Sequence, residues 1–294
     1  MLGGRATSDA PLGVLTTYRV GGRAALFVKA SSEDDLRLVR DAVRATGLPT
    51  LVVGNGSNLL VADAGFPGIA VQLGDEFAQI DVDESTARAT AGAAASLPIV
   101  ARRTAAAALT GFEWAVGVPG SVGGAVRMNA GGHGAEVRET LVSARLVPIA
   151  GDGRGGDVAV ADLEPTYRHT NVAAGEVVVS ATLQLAPGDR ATSEETIASI
   201  VRWRREHQPG GQNAGSVFTN PDGDSAGRLV DTAGLKELRV GSAYVSPKHA
   251  NFFQADEGGS ADDVRELIDE VRRRVRETTG VDLVPELRMV GFGA

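Results

Sequence analysis

Seven glycines fall within the eighteen residues Gly117 to Gly134, GVPGSVGGAVRMNAGGHG, alongside a proline, a serine and an asparagine. Glycine has no Cβ and tolerates either sign of φ, so such a segment lets backbone N–H groups come close to a ligand. Amides converging in turn conformations make a concavity that suits an anion such as pyrophosphate. The plainer alternative is a flexible surface linker. Against it, Val118, Val122, Ala125, Val126 and Met128 are interleaved with the glycines, and a solvated linker has no use for them.

A second cluster, Gly54-Asn55-Gly56-Ser57-Asn58, lies about sixty residues upstream. The apolar run PTLVVG from Pro49 leads into it and Leu59-Leu60-Val61 follows. This is strand, turn, strand. No helix opens after the turn, which excludes the glycine-rich corner of a Rossmann unit. Two amide-rich turns together suggest a cradle with two sides.

At 294 residues the chain is long enough for two cores. Its net charge of −8 argues against a general nucleic-acid binder, which needs a basic face. There is no cysteine, so disulfides, thiolate metal sites and a cysteinyl flavin link are excluded. The four histidines are too scattered to predict a metal site. The N-terminal MLGGRATSDAPLG lacks the apolar centre of a secretory signal. No stretch approaches the roughly 18 apolar residues of a membrane span. A cytoplasmic protein with no membrane partner is expected.

Residues 31–47, SSEDDLRLVRDAVRATG, read as a helix: Ser31 or Ser32 caps it, acids fill its first turn and Gly47 ends it. Leu36, Val39 and Val43 share one face. A short strand precedes it at Ala25–Lys29, and further strands are expected at Ile69–Leu73, Thr86–Ala91, Leu141–Pro148 and Val177–Leu185. Helices are expected at Leu97–Leu109, Ser193–His207 and after Ser260, where Val264, Leu267, Ile268, Val271 and Val275 form a stripe ending at Gly280. The composition changes near 186–192. Short strands with flanking helices make the class α+β. By themselves these patterns describe an anion-binding α+β protein of two domains.

Four further clusters carry chemistry: TTYRVGG at Thr16–Gly22, YRHT at Tyr167–Thr170, AGSVFTNP at Ala214–Pro221 and PELR at Pro285–Arg288. With GNGSNLLV, GFEWAVGVPGSVGGAVRMNAGGHG, AGLK and VSPKHANFF, they occur in an order that resembles the MurB family of peptidoglycan synthesis, from about Leu12 to Phe292. Each motif alone is weak; the ordered set is specific. The resemblance implies an α+β FAD-binding fold of the vanillyl-alcohol-oxidase type with two subdomains, then an α+β substrate-binding domain. The corresponding boundaries are a loose terminus at 1–11, an FAD region at 12–188 (subdomains about 12–73 and 74–188) and a substrate domain at 189–294. No tyrosine-bearing insertion separates Arg168 from Val177, so the chain is similar to the shorter type of the family.

The resemblance further implies non-covalent FAD, NADPH as co-substrate and a UDP-sugar enol ether as substrate; no nucleic-acid partner and a monomeric state are expected. FAD would contact Gly54, Asn55, Gly56, Ser57, Asn58, Leu59, Val118, Pro119, Gly120, Ser121, Gly123, Gly124, Asn129, Gly134 and Tyr167. Reducing an enolpyruvyl ether drives negative charge into the adjacent carboxylate. Arg168 would stabilise it, because a guanidinium is permanently charged and grips a carboxylate with two prongs. Glu286 would assist and Ser216 would supply the proton. Arg204, His207, Asn220, His249 and Arg288 are the substrate-binding candidates, with Asn251 beside them. Phe218, Phe252, Phe253, Trp114 and Trp203 read as packing residues.

Three positions depart from the family pattern. Thr219 stands where a lysine is usual, His133 where a tyrosine is usual, and Thr170 where serine is usual. Two other readings keep part of the pattern: a flavin enzyme of the same fold with another substrate, and a binding protein that retains only the nucleotide pocket.

Overall fold

The strands that flank the Gly54–Asn58 turn do not pair with each other. In the computed structural model, which describes residues 2–293, Thr50–Val53 pairs in parallel with Phe66–Leu73, whereas Leu59–Val61 pairs in parallel with Arg288–Val290. The turn is thus where the chain passes from one compact unit to another. Unit 1 holds the residues up to Ser8, Leu26–Asn55 and Gly68–Arg204; unit 2 holds Asp9–Ala25, Gly56–Pro67 and Arg205 onward. This differs from the consecutive 12–188 and 189–294 division that follows from the family resemblance and the composition change near 186–192. The parallel pairing of Leu59–Val61 with the C-terminal strand is the physical reason.

Unit 1 has two apolar cores. A five-stranded antiparallel sheet in the order Gly156–Ala159, Leu141–Pro148, Glu176–Gln184, Arg88–Gly92, Ile80–Asp83 separates them. Side chains alternate across a strand, so Leu146 and Val178 enter one core while Val147, Val177 and Val179 enter the other; the register shift between Arg145 and Leu146 then brings Ala181 into the first core. The first core is completed by helices α2 (Leu97–Ala106) and α3 (Val122–Met128). The second is completed by helix α1 (Glu33–Thr46) and by Val28, Ile69 and Val71.

Helix α1 follows its local signals. The Ser32 hydroxyl accepts from the Asp35 amide, and Gly47 closes the helix at φ +68°. Ala42 is buried alongside Leu36 and Val39, and Val43 is only partly buried. Helix α2 stops at Ala106, short of the expected Leu109, because Ala108 turns to φ +53° and Leu109 pairs with Pro187 in a short strand. Helix α4 (Arg190–His207) begins three residues earlier than expected.

Unit 2 packs helices α5 (Ala226–Thr232) and α6 (Ala261–Thr279) with a three-stranded sheet, Arg239–Val240, Ala243–Val245 and Phe253–Ala255. Ser260 caps α6 by accepting from the Asp263 amide, Gly280 ends it, and its Val264, Leu267, Ile268, Val271 and Val275 are fully buried. Tyr18 of the TTYRVGG motif joins this core with Phe218 and Phe253. Among the described residues no helix is long and apolar enough to cross a membrane.

Candidate functional site

Unit 1 contains a cleft of about 240 Å³ lined by Gly54 and Asn55 of the first turn and by Ser121, Gly123 and Gly124 of the second. The two turns therefore meet, as a two-sided cradle requires. Gly54 is needed there: a Cβ on it would sit 2.6 Å from the Ser121 hydroxyl. That hydroxyl caps α3 by accepting from the Gly124 amide at 3.3 Å. Lys29, Gln72, Asp75, Arg127 and Glu176 add polar groups to the wall. The Gln72 amide donates to the Gly54 carbonyl, which steadies the first turn.

Several amides of the second turn are used inside the unit. Val118 donates to Ala115, Gly120 to Val118, Val122 to Ala95 and Gly123 to Ala93. Strand-like contacts and the start of α3 consume them, so the glycines supply close approach more than donors. Positive charge at the cleft comes from Lys29 and Arg127. Sequence reasoning missed these two because nothing local marks them as facing the cleft.

Only part of the expected flavin set lines this cleft. Gly56, Ser57, Asn58 and Leu59 belong to unit 2. Gly56 packs on Leu15, whose carbonyl would lie 2.2 Å from an added Cβ, and Leu59 is buried in the parallel pair with Arg288. Val118, Pro119 and Gly120 form the turn before Ser121 and lie outside the cleft wall. Asn129 is buried, with φ +39°; its amide donates to Glu136 and to the Thr166 carbonyl, and its oxygen accepts from the Arg138 amide. Its side chain therefore ties the loop together.

Two small hairpins of unit 1 meet around Arg168. In the first, Gly131–Gly132 pairs with Ala135–Glu136. Its two tip residues, His133 and Gly134, both have positive φ, the type I′ geometry that asparagine-glycine favours. The His133 ring lies against Gly117 and edge-on to Trp203 at 5.2 Å. Burial, then the charge of Arg204, holds its imidazole below the ordinary histidine range. In the second hairpin, Thr166 and His169 pair by reciprocal bonds and leave Tyr167 and Arg168 at the tip, with Arg168 at φ +56°. Its guanidinium stacks 4.8 Å from the half-exposed Tyr167 ring, donates to the Gly131 carbonyl and lies 3.8 Å from the Glu136 carboxylate. The Thr170 hydroxyl donates to the Arg127 carbonyl, a bond that a serine would also make.

Unit 2 brings Ser216 and Glu286 onto neighbouring extended segments. The Val217 amide donates to the Asn251 carbonyl, and the Glu286 amide donates to the Val217 carbonyl at 2.8 Å. Asn251 clamps the same segment with its side chain, accepting from the Phe218 amide and donating to the Phe218 carbonyl. Gly215 precedes Ser216 at φ +76°, a turn that L side chains resist. Glu286 is itself held: the Asn58 amide donates to its carbonyl.

The substrate-binding candidates are dispersed. Asn220 is exposed, and its oxygen accepts from the Ala226 amide at the start of α5. His249 accepts the Asn251 amide at Nδ1 and packs edge-on to Phe252; burial first, then the charge of Lys236, pushes its pKa down. Arg288 is half-buried in the strand beside Leu59. Arg204 falls in unit 1 and His207 in unit 2, both on α4. Thr219 donates its hydroxyl to the Val284 carbonyl. Trp114, Phe218, Phe252 and Phe253 are buried as expected of packing residues; Trp203 is exposed, on the surface of α4 where it meets His133 edge-on.

Two family models match this chain. Residues 24–154 match an FAD binding domain and residues 207–290 match the C-terminal domain of UDP-N-acetylenolpyruvoylglucosamine reductase. The first span contains Lys29, Gly54, Asn55 and Ser121 to Gly124 of the glycine-lined cleft. The residues present fit such a group: Gly54 has no room for a Cβ beside Ser121, and Lys29 and Arg127 line the wall alongside Asp75 and Glu176. A cleft of this volume is smaller than the roughly 300–1,000 Å³ of a whole-ligand pocket and suits one part of a dinucleotide. Fold and site thus define a flavin-binding oxidoreductase of α+β architecture. The reductases of Paramagnetospirillum magneticum and Acidiphilium cryptum that bear the same UDP-N-acetylenolpyruvoylglucosamine name are 43% and 44% identical, each over 98% of this chain and 93% and 92% of theirs. The crystal structure of the Thermus caldophilus reductase matches with a TM-score of 0.82 at 35% identity, over 96% of this chain and 97% of that one. The chain belongs to the UDP-N-acetylenolpyruvoylglucosamine reductase family.

Proposed function

We propose that this chain reduces UDP-N-acetylenolpyruvoylglucosamine to UDP-N-acetylmuramate with NADPH, using non-covalently bound FAD. The setting would be cytoplasmic peptidoglycan precursor synthesis, which serves cell shape and division, and the working form a monomer. Bound FAD supplies the two-electron carrier between NADPH and the enolpyruvyl ether. Gly54, Asn55, Ser121, Gly123 and Gly124 would hold it, with Lys29 and Arg127 as the cations of the cleft.

The protein's own residues have three tasks. Arg168 grips the enolpyruvyl carboxylate and stabilises the charge that develops on it. The Ser216 hydroxyl gives its proton to the carbon next to that carboxylate, in step with charge development, because a bare serine is a weak acid. Glu286 assists by hydrogen bonding or proton sharing. Arg288 adds charge near the carboxylate, while Asn220, Arg204, His207 and His249 meet the rest of the UDP-sugar. The observation that carries this reading is the pairing that sets Ser216 and Glu286 on adjacent segments, through the 2.8 Å bond from the Glu286 amide to the Val217 carbonyl.

An anaerobic flavin titration tests it. The purified protein should be yellow, bleach with NADPH and recover its colour on adding UDP-N-acetylenolpyruvoylglucosamine. Recovery with oxygen alone would point to an oxidase on the same fold. A colourless chain unable to take up FAD would point to a binding protein.

A further inference from the structure

We propose that Glu136 is a positioning residue for Arg168, fixing the plane of its guanidinium for a substrate carboxylate; this rests on the role given to Arg168 above. An arginine side chain is long and flexible, and two-pronged recognition of a carboxylate works only when the plane of the fork is set. Contacts within its own unit set it here. The Tyr167 ring covers one face at 4.8 Å, the Gly131 carbonyl accepts from Nη2 at 3.1 Å, and Glu136 Oε1 lies 3.8 Å from Nη1. The ionic contact joins two side chains that are only 21% and 15% exposed, so solvent screens it weakly.

Glu136 is well fixed for this task. Its Oε2 accepts from the Asn129 amide at 3.0 Å and lies 2.9 Å from Arg138 Nε, and its own amide donates to Glu139. One carboxylate oxygen is therefore anchored in the loop, and the other is presented to Arg168. Gly131 leaves the space between them: a Cβ there would approach Arg168 Nη1 to 3.1 Å. When a substrate carboxylate arrives, Arg168 gains a second anion without having to reorient.

The anchoring makes Glu136→Gln a selective probe. Its amide oxygen can replace Oε2 as acceptor for Asn129 and Arg138, and those two donors then turn its NH2 group toward Arg168. The charge facing Arg168 is lost, while the hydrogen bonds from Asn129 and from the largely exposed Arg138 keep an acceptor. In the full-length FAD-loaded protein, E136Q should keep its FAD content, its unfolding midpoint and the rate at which NADPH reduces the flavin. Reoxidation by UDP-N-acetylenolpyruvoylglucosamine should slow about 10- to 100-fold, in limiting rate more than in KM. Glu136→Asp, which keeps the charge, should recover part of the loss. In an R168A background, E136Q should cost nothing more. Without any substrate, the Arg168 Nε–H resonance should be sharp and shifted in the parent and broadened in E136Q. An unchanged resonance, an additive loss in R168A, or equal slowing of both half-reactions with a lowered unfolding midpoint overturns the proposal. If the parent itself is not reoxidised by the substrate, the proposed function fails, and the resonance still decides the case for Glu136.

Discussion

The side-chain amide of Asn58 donates to the main-chain carbonyl of Glu286 at 3.1 Å, across 228 residues of sequence. The Arg288 amide returns a bond to the Asn58 carbonyl. The last residue of the Gly54–Asn58 turn is thus the lock on the C-terminal segment that carries Glu286. Asn58→Ala should lower stability by about 1 kcal/mol, the worth of one such bond. It should also slow substrate reduction by loosening Glu286, while flavin reduction by NADPH stays intact. Urea unfolding and stopped-flow absorbance check both parts; an unchanged urea midpoint would remove Asn58 from this role.

Ser216 is held between Gly215 and a segment clamped on both edges, by Asn251 and by Glu286. Ser216→Ala should therefore leave the fold and NADPH-driven bleaching unaltered. Reoxidation by the enolpyruvyl substrate should fall by about 10²- to 10⁴-fold, the range for loss of a positioned proton donor. Equal loss in both half-reactions would sink the proton-donor role.

Gly54 lies where an added Cβ would meet the Ser121 hydroxyl at 2.6 Å. That hydroxyl cannot rotate away without losing its bond to the Gly124 amide, and losing a serine cap costs about 1 kcal/mol. Gly54→Ala should lower FAD occupancy, read as the ratio of flavin to protein absorbance. Adding Ser121→Gly removes the clash at a cost of only a few tenths of a kcal/mol at the cap, and should restore occupancy. A single variant with full occupancy would show that the cleft tolerates the methyl group.

Glu176 gives the protein an acid-sensitive point. Burial alone would push its carboxyl up. Hydrogen bonds from the Arg154 guanidinium and from the Ala173 and Arg154 amides outweigh that and hold it at about 2, below its ordinary 4.5. A group depressed in the folded state adds stability above its unfolded value, and that stability drains away as pH falls through the folded value. Between pH 4.5 and about 2 the parent should lose stability more steeply than Glu176→Gln. Thermal unfolding across that window checks this; parallel curves would contradict it.

Much of the local structure was legible in the sequence. Ser32, Gly47, Ser260 and Gly280 bound their helices as cap chemistry requires, and the buried stripe of α6 is the one its periodicity marks. These signals work because caps and helix faces are settled within a few residues. Helix α2 was over-extended because alanine propensity gives no warning that Ala108 adopts φ +53° to let Leu109 pair with Pro187. Asn129 and Asn58 read as cofactor contacts, but their amides serve Glu136, Thr166 and Glu286. Glu136 carries no sequence signal, since its importance lies in a partner on another hairpin.

The sequence by itself determined the family, the α+β class, the helix limits set by caps and the residue types available for flavin and substrate chemistry. Each is carried by local spacing or by motif order. Only the tertiary structure decided that Leu59–Val61 joins the C-terminal strand and leaves Thr50–Val53 in the other unit. It also decided that the amides of Val122 and Gly123 are used up inside the fold, and that Glu136 faces Arg168. The physical reason is common to all three. A backbone hydrogen bond or an ion pair is satisfied by whatever donor or acceptor the folded chain brings near, and sequence distance puts no mark on that choice.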